Sequence, residues 1–193
     1  MKQRIATAIV LMFLVSVACF AVPIVYQAAL RGSNEFPSNA SPGTGLATVT
    51  IDTDDHLLRV EVTFQDLLAG TTASHIHCCV LPSAANPNAG VATQTPTFTG
   101  FPLGVTSGSY DHSFDTLMLS TYNMPFVTAN GGTPAGAEAA LAAGLANGMA
   151  YLNIHTTQFP AGEIRGFFAV PELSSMVLLG MGLLGIGALR KRA

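Results

Sequence analysis

Apolar and polar residues alternate strictly along 58–64: Leu58, Val60, Val62 and Phe64 point one way, Arg59, Glu61 and Thr63 the other. A period of two is the mark of a strand with one face in a core. Residues 46–51 are short and rich in β-branched side chains, and 74–80, 149–156 and 163–170 predict further strands. The acidic stretch 52–55 predicts a turn that joins the first two of these into a hairpin. Segments rich in Gly, Pro, Asn and Ser at 32–45 and 82–109 predict long loops. The alanine-rich segment 134–147 breaks the alternation. Leu141 and Leu145 stand four apart, Thr133 is placed to cap a helix that starts at Pro134, and Gly148 is a stop. A helical turn is expected over 115–122. These elements predict a mainly β domain, an antiparallel sandwich or barrel with one or two short helices laid across it. No internal repeat, phosphate-binding loop, dinucleotide fingerprint or heptad seam is legible.

Composition sharpens this picture at the two ends. Of 193 residues, 49% are hydrophobic and only 10% charged. Lys2 and Arg4 precede a nearly unbroken apolar run over 5–25, the charged-then-greasy order of a secretory signal, and small residues at Cys19 and Ala21 suit a cut after Ala21. At the other end a glycine-rich apolar run over 173–189 leads into Arg190, Lys191 and Arg192. As a helix it would reach about 26 Å, slightly short of a bilayer core of about 30 Å, which flanking residues and local thinning accommodate. Basic residues favour the cytoplasmic side, so the hydrophobic helices expected at both ends leave the body outside. Between them, over 22–169, three bases (Arg31, Arg59, Arg165) face ten acids, a formal −7 without one lysine. Such a body repels a polyphosphate backbone, which excludes nucleic acid as the expected partner. The expected organisation is a signal peptide over 1–21, a β domain over 22–169 and a membrane-sorting tail over 170–193.

Val170-Pro171-Glu172, the apolar run and the basic tail together resemble the PEP-CTERM sorting signal of Gram-negative bacteria that make exopolysaccharide. Leu173 stands where that family usually has a second proline. The resemblance implies an exosortase-type processing enzyme as a partner, membrane attachment through the C-terminal segment, and residence at the cell surface or in the extracellular matrix.

Chemistry concentrates in a few places. In a strand His75 and His77 project to the same face, a spacing suited to holding one metal ion. If the strands on either side of the 156–162 loop pair, His155 and Glu163 approach, and three histidines with a carboxylate make a zinc or copper site. The alternative is that Ile76 and Val80 lie in the core, His75 and His77 on the outer face, and the histidines hydrogen-bond loop backbone. Glu163 and Arg165 share a strand face and are expected to form an ion pair with each other or with a neighbouring strand. Gly162 and Gly166 suit tight backbone geometry. His56 follows Asp54 and Asp55 in a turn, His112 follows Asp111, and both read as solvated. Cys78 and Cys79 would meet an oxidising compartment after export. A vicinal disulfide, two free thiols, metal ligation beside His77 and bonds to another molecule are all open. No serine–histidine–acid arrangement is legible.

His75-Ile76-His77 and the run from Asn153 through His155, Gly162, Glu163 and Arg165 to Gly166, with Ala29 to Pro37 and 43–51 upstream, resemble the CHRD domain, found in chordin and widespread in exported bacterial proteins. The resemblance spans roughly 26–169. It departs after His77, where Cys78-Cys79 replaces the common Gly-Pro type turn, and in a long insertion between about 107 and 148. It implies an immunoglobulin-like β-fold and an extracellular setting, and it supplies no catalytic activity or cofactor. The expected function is therefore a non-catalytic surface or biofilm-matrix module that binds exopolysaccharide, a matrix protein or itself. The alternative is a divalent-metal protein, or a metal-dependent oxidoreductase, built on His75, His77 and His155.

Overall fold

The computed structural model describes residues 23–169; the expected signal segment 1–21 and sorting tail 170–193 lie outside the described residues. Seven strands form one continuous sheet: β1 (Ile24–Arg31), β2 (Thr44–Asp52), β3 (Leu57–Gln65), β4 (Thr71–Cys78), β5 (Gly108–Asp115), β6 (Ala150–Thr156) and β7 (Ile164–Phe167). Their order across the sheet is β4-β6-β7-β1-β2-β3-β5, and every pairing is antiparallel. The sheet curls into a half-barrel with two short helices, α1 (Met124–Ala129) and α2 (Pro134–Ala146). Among the described residues no helix is long and apolar enough to cross a membrane.

The alternation in β3 works as its sequence predicts. Leu58, Val60, Val62 and Phe64 are buried, and the register sets Val60 opposite Val49 of β2. Each such aliphatic side chain removed from water contributes roughly 1.5–3 kcal/mol. In the hairpin turn Asp52 Oδ1 accepts the N–H groups of Asp54 and Asp55, both at 3.0 Å, and His56 takes the left-handed conformation at φ 54°. Two strands escape the sequence reading. β1 begins inside the apolar run assigned to the N-terminal signal, and β5 lies where only loop and insertion were expected. The β4 strand ends at Cys78, two residues before the expected limit, and the turn expected over 115–122 is a 3-10 turn at Leu119–Thr121.

The gap between edge strands β4 and β5 is crossed by the long loop over 79–107. It runs along the free edge of β4 through Ala92 N–H to Ile76 O (2.9 Å) and Gly104 N–H to Thr71 O (2.8 Å), which satisfies edge groups that would otherwise invite another strand. Its Phe98 then stacks against Tyr110 of β5, with ring centroids 5.8 Å apart.

Helix α2 matches its predicted start. The Thr133 hydroxyl accepts the Gly136 N–H at 3.1 Å, Pro134 opens the helix, and Gly148 at φ 63° follows its end. Leu141 and Leu145 bury in the core. Glu138, also buried, accepts from the Thr116 hydroxyl and meets His56 Nδ1 at 3.1 Å. His56 is thus not a freely solvated turn residue: it ties the β2–β3 hairpin to α2. His112 is exposed as expected. β7 meets β1 at a single registered pair, Arg31 with Arg165, and a side chain at Gly166 would overlap the Ala29 carbonyl there.

Candidate metal centre

Even positions of β6 face the core: Ala150, Leu152, Ile154 and Thr156 are buried there. The odd positions, Tyr151, Asn153 and His155, lie on the opposite face beside His75 and His77 of β4, which the register places across from Asn153 and Tyr151. This outer face is not bare, because the 79–107 loop and the β6–β7 connection cover it. His75 and His77 lie on this outer face at 7% and 8% exposure, so both faces of β4 are buried here. His155 is half-buried.

Each histidine spends one ring nitrogen on a backbone carbonyl. His75 Nε2 lies 2.7 Å from Pro96 O, His77 Nδ1 lies 2.9 Å from Ala89 O, and His155 Nδ1 lies 2.9 Å from Pro160 O. A carbonyl only accepts, so each of these nitrogens carries the proton, which fixes three tautomers. The remaining nitrogen of each neutral ring is a lone pair. One nitrogen from each histidine falls within 4.8 Å of the other two. His75 Nδ1 and His155 Nε2 face each other at 3.3 Å with no proton between them, and His77 Nε2 faces Asn153 Oδ1 at 3.1 Å. Turning the Asn153 amide would satisfy His77 alone. Turning either imidazole of the other pair would break its carbonyl bond.

A proton shared between the rings would also relieve the repulsion, but burial opposes it. Burial lowers His75 and His155 below the ordinary histidine range and lowers His77 to about 4. A divalent cation would satisfy the lone pairs together. Zn–N bonds of about 2.0–2.1 Å in a tetrahedron set nitrogens roughly 3.3 Å apart, which the His75–His155 pair already matches. Donation of the second ring N–H to a carbonyl is what orients metal-ligating histidines generally.

Glu163 does not join them. It is fully buried on the core side, where Oε1 accepts from Ser41 Oγ (2.6 Å) and Leu68 N–H (2.7 Å) and Oε2 accepts from Thr156 Oγ1 (2.7 Å). Strands β6 and β7 do pair, but His155 faces outward while Glu163 follows Thr156 inward. The expected three histidines and a carboxylate are therefore a histidine triad. Nor does Glu163 pair with Arg165. The buried Arg165 donates to Asn34 O and to Asn88 Oδ1 (2.7 Å), and its guanidinium carbon sits 4.8 Å from the centre of the Tyr151 ring. Its nearest carboxylate is Glu35, at 3.7 Å. Cys78 and Cys79 are bonded to each other, which leaves no thiolate beside His77. Their sulfur atoms pack where a Cβ on Gly144 of α2 would sit.

The family model for the CHRD domain matches residues 26–168, which is most of the chain. The chain belongs to the CHRD domain family. No curated protein and no solved structure matches it. In this CHRD domain the histidines were singled out from the sequence, whereas the groups that orient them were not. Ala89, Pro96 and Pro160 act through main-chain carbonyls, which every residue type possesses, so no side-chain pattern announces them. Asn153 and Glu35 lie within the family motifs without a chemical signal of their own. Glu35 is 7% exposed, its Oε1 has no hydrogen-bond partner among the described residues, and burial raises its carboxyl to about 7 against the opposing pull of Arg165.

Proposed function

We propose that this CHRD domain is a binding module that holds one divalent transition-metal ion, zinc or copper(II), on His75, His77 and His155. The observation that carries the reading is the trio of tautomers: three N–H groups are committed to carbonyls, so three lone pairs converge in a buried place. A purely structural role accounts for the three carbonyl bonds, and a turned Asn153 amide would serve His77, but it leaves the facing nitrogens of His75 and His155 without a donor. Three neutral imidazoles suit zinc and copper, and copper(II) is favoured in intrinsic affinity. The fourth position is open to water or to a ligand from outside.

The same proposal sets the module outside the cell as a non-catalytic surface or matrix component of a Gram-negative bacterium. The apolar ends with their basic flanks, the resemblance of 170–193 to an exosortase signal and the lysine-free body support that setting. The immunoglobulin-like character implied by the family is part of the reading; the antiparallel pairing of all seven strands supports it, while their arrangement in one curled sheet rather than two does not.

The test is metal titration of the full-length protein, stripped with chelator, using zinc and copper(II) salts in a calorimeter. One ion per chain is expected. His155→Ala, which removes the half-buried member, should weaken binding by about tenfold or more with an unaltered circular dichroism spectrum. Sub-stoichiometric uptake that His75→Ala plus His77→Ala leaves unchanged overturns the proposal.

A further inference from the structure

At one end of the half-barrel β1 begins, β2 ends, β3 begins and β5 ends. The register there sets Ile24 against Ile51, Asp52 against Leu57, and Leu57 against Asp115. The loop that leaves β5 at this end carries Leu117, Met118 and Leu119, which are 48%, 54% and 47% exposed. Among the described residues no other run of three large apolar side chains is exposed. Ile24 and Leu57 are exposed at the same end, and an apolar groove of about 300 Å3 bounded by Ile24, Ile51, Ala142 and Ala146 opens beside them. We infer that this end of the domain is a docking surface for a bilayer of zwitterionic lipid, with the 117–119 tip entering the interface between headgroups and acyl chains.

Two observations point to a bilayer, and a third to its headgroups. First, the tip turns its main chain inward. Asp115 accepts the Leu117 N–H through Oδ1 (2.8 Å) and the Met118 N–H through its carbonyl (3.2 Å). The carbonyls of Met118 and Leu119 accept the N–H groups of Thr121 and Tyr122, both at 3.1 Å. Backbone groups satisfied in this way need no water, which is the condition for chain that enters apolar surroundings.

Second, both ends of the described chain lie here. Pro23 immediately precedes β1, and Ala169 exchanges two backbone hydrogen bonds with Gln27 (2.9 and 3.0 Å), antiparallel to β1, so it heads toward Ile24. Four residue steps separate Ala169 from Leu173, where the apolar run expected to enter the membrane begins. Fully extended, they span at most about 14 Å. The tip stands three strand spacings from β1, again at most about 14 Å. With the run in a bilayer, so short a tether holds this end against the lipid at high effective concentration. The inference thus rests on the proposed membrane role of 170–193, and on nothing in the histidine centre.

Third, Asp54, Asp55 and Asp115 are exposed at this end. They repel an anionic surface, so attachment comes from buried apolar area and suits zwitterionic headgroups.

The experiment places the full-length protein, with isotopically labelled methionine methyl groups, in phosphatidylcholine nanodiscs that carry a nitroxide near the lipid carbonyls. Methyl signals are read by NMR. Met176 and Met181 report the apolar run, and Met118 reports the tip. Leu103→Met is the distant reference: Leu103 is exposed at the opposite end, beside the Gly104 N–H that donates to Thr71 O. Met118, Met176 and Met181 should lose most of their signal to the nitroxide, while the reference methyl keeps its own. Loss at Met176 and Met181 with Met118 retained overturns the docking and leaves the tail reading intact, whereas retention at all three overturns both. Leu117→Asp plus Leu119→Asp, at exposed positions, should restore the Met118 signal with an unaltered circular dichroism spectrum. Loss at Met118 that persists in that variant means the tether alone brings the tip near lipid, and overturns the inference. So does a Met118 signal that ignores the nitroxide but shifts with protein concentration, which makes a second copy of the chain the occupant. A stronger effect in phosphatidylglycerol discs overturns the assignment to zwitterionic lipid.

Discussion

Glu35→Gln should stabilise the metal-free protein increasingly as pH rises. Burial raises the Glu35 carboxyl from 4.5 to about 7 in the folded chain, while the unfolded chain leaves it near 4.5. Between those values the folded state keeps a proton that the unfolded state has released. Stability contributed by this group is therefore complete below pH 4.5 and is lost as pH climbs through 7. At about 1.4 kcal/mol per unit, the loss amounts to roughly 3 kcal/mol above pH 7. Glutamine has nearly the same shape and no charge to bury, so it avoids that loss.

The assay is urea denaturation of wild type and Glu35→Gln in chelator, from pH 4 to pH 8. The difference in unfolding free energy should be near zero at the acid end and grow to about 3 kcal/mol in favour of the variant at the alkaline end. Histidine titration cancels in that difference. His77, lowered to about 4, acts in the opposite sense: its contribution is full above pH 6.5 and is lost as pH falls toward 4. The wild-type profile alone would mix the two trends. A difference that is flat, or that turns against glutamine above pH 7, would refute the reasoning. It would mean that Arg165 at 3.7 Å outweighs burial and that the carboxylate is a settled ion-pair partner.

Three further outcomes are expected. Glu138→Ala removes the buried carboxylate that fastens α2 to Thr116 and His56, and should cost about 2 kcal/mol in urea denaturation. Gly144→Ala improves helix propensity by up to about 1 kcal/mol, yet should destabilise, because its Cβ would overlap Cys78 Sγ and Cys79 Sγ. Deleting residues 170–193 should release the protein from the cell surface into the medium, read by fractionation, and unchanged retention would count against the sorting role of that tail.

The parts of the fold legible in the sequence are those whose signal is local. Leu58 to Phe64 alternate because β3 has one face in the core, and Thr133-Pro134 begins a helix wherever it stands, since cap and ring act on their own turn. β1 was hidden because Ile24 and Val25 continue the apolar run of the N-terminus, and hydropathy alone cannot mark where one apolar element ends and another begins. β5 was hidden because three consecutive residues, Asp111, His112 and Ser113, are exposed at its centre, which leaves only Tyr110 and Phe114 facing inward. The same locality divides the site. His75 and His77 were paired by spacing alone. Glu163 differs because the pairing stops short of it: the register of β6 with β7 ends at Ile154 and Ile164, and Glu163 lies in the bend after Gly162 (φ 132°), so the pleat that would set it beside His155 does not reach it.

That pleat also explains why a polar centre can sit on the outside of a sheet and still be buried. On β6 the core face is complete with Ala150, Leu152 and Ile154, so the opposite face is free to carry Tyr151, Asn153 and His155 without weakening the core. What buries this second face is a set of loops whose carbonyls need donors once they leave water. Imidazole N–H groups supply them at Pro96, Ala89 and Pro160, and each such bond turns a lone pair inward. If the proposed ion binds there, covering the sheet and preparing the metal site are one event, which gives a coupling between loop and ion. Metal binding should order the loop over 79–107 and the β6–β7 connection together. Hydrogen exchange at the Ala92 amide, which donates to Ile76 O of β4, and at the Gly162 amide, which donates to Phe159 O, should slow on adding zinc or copper(II), while exchange in β2 and β3 stays unchanged.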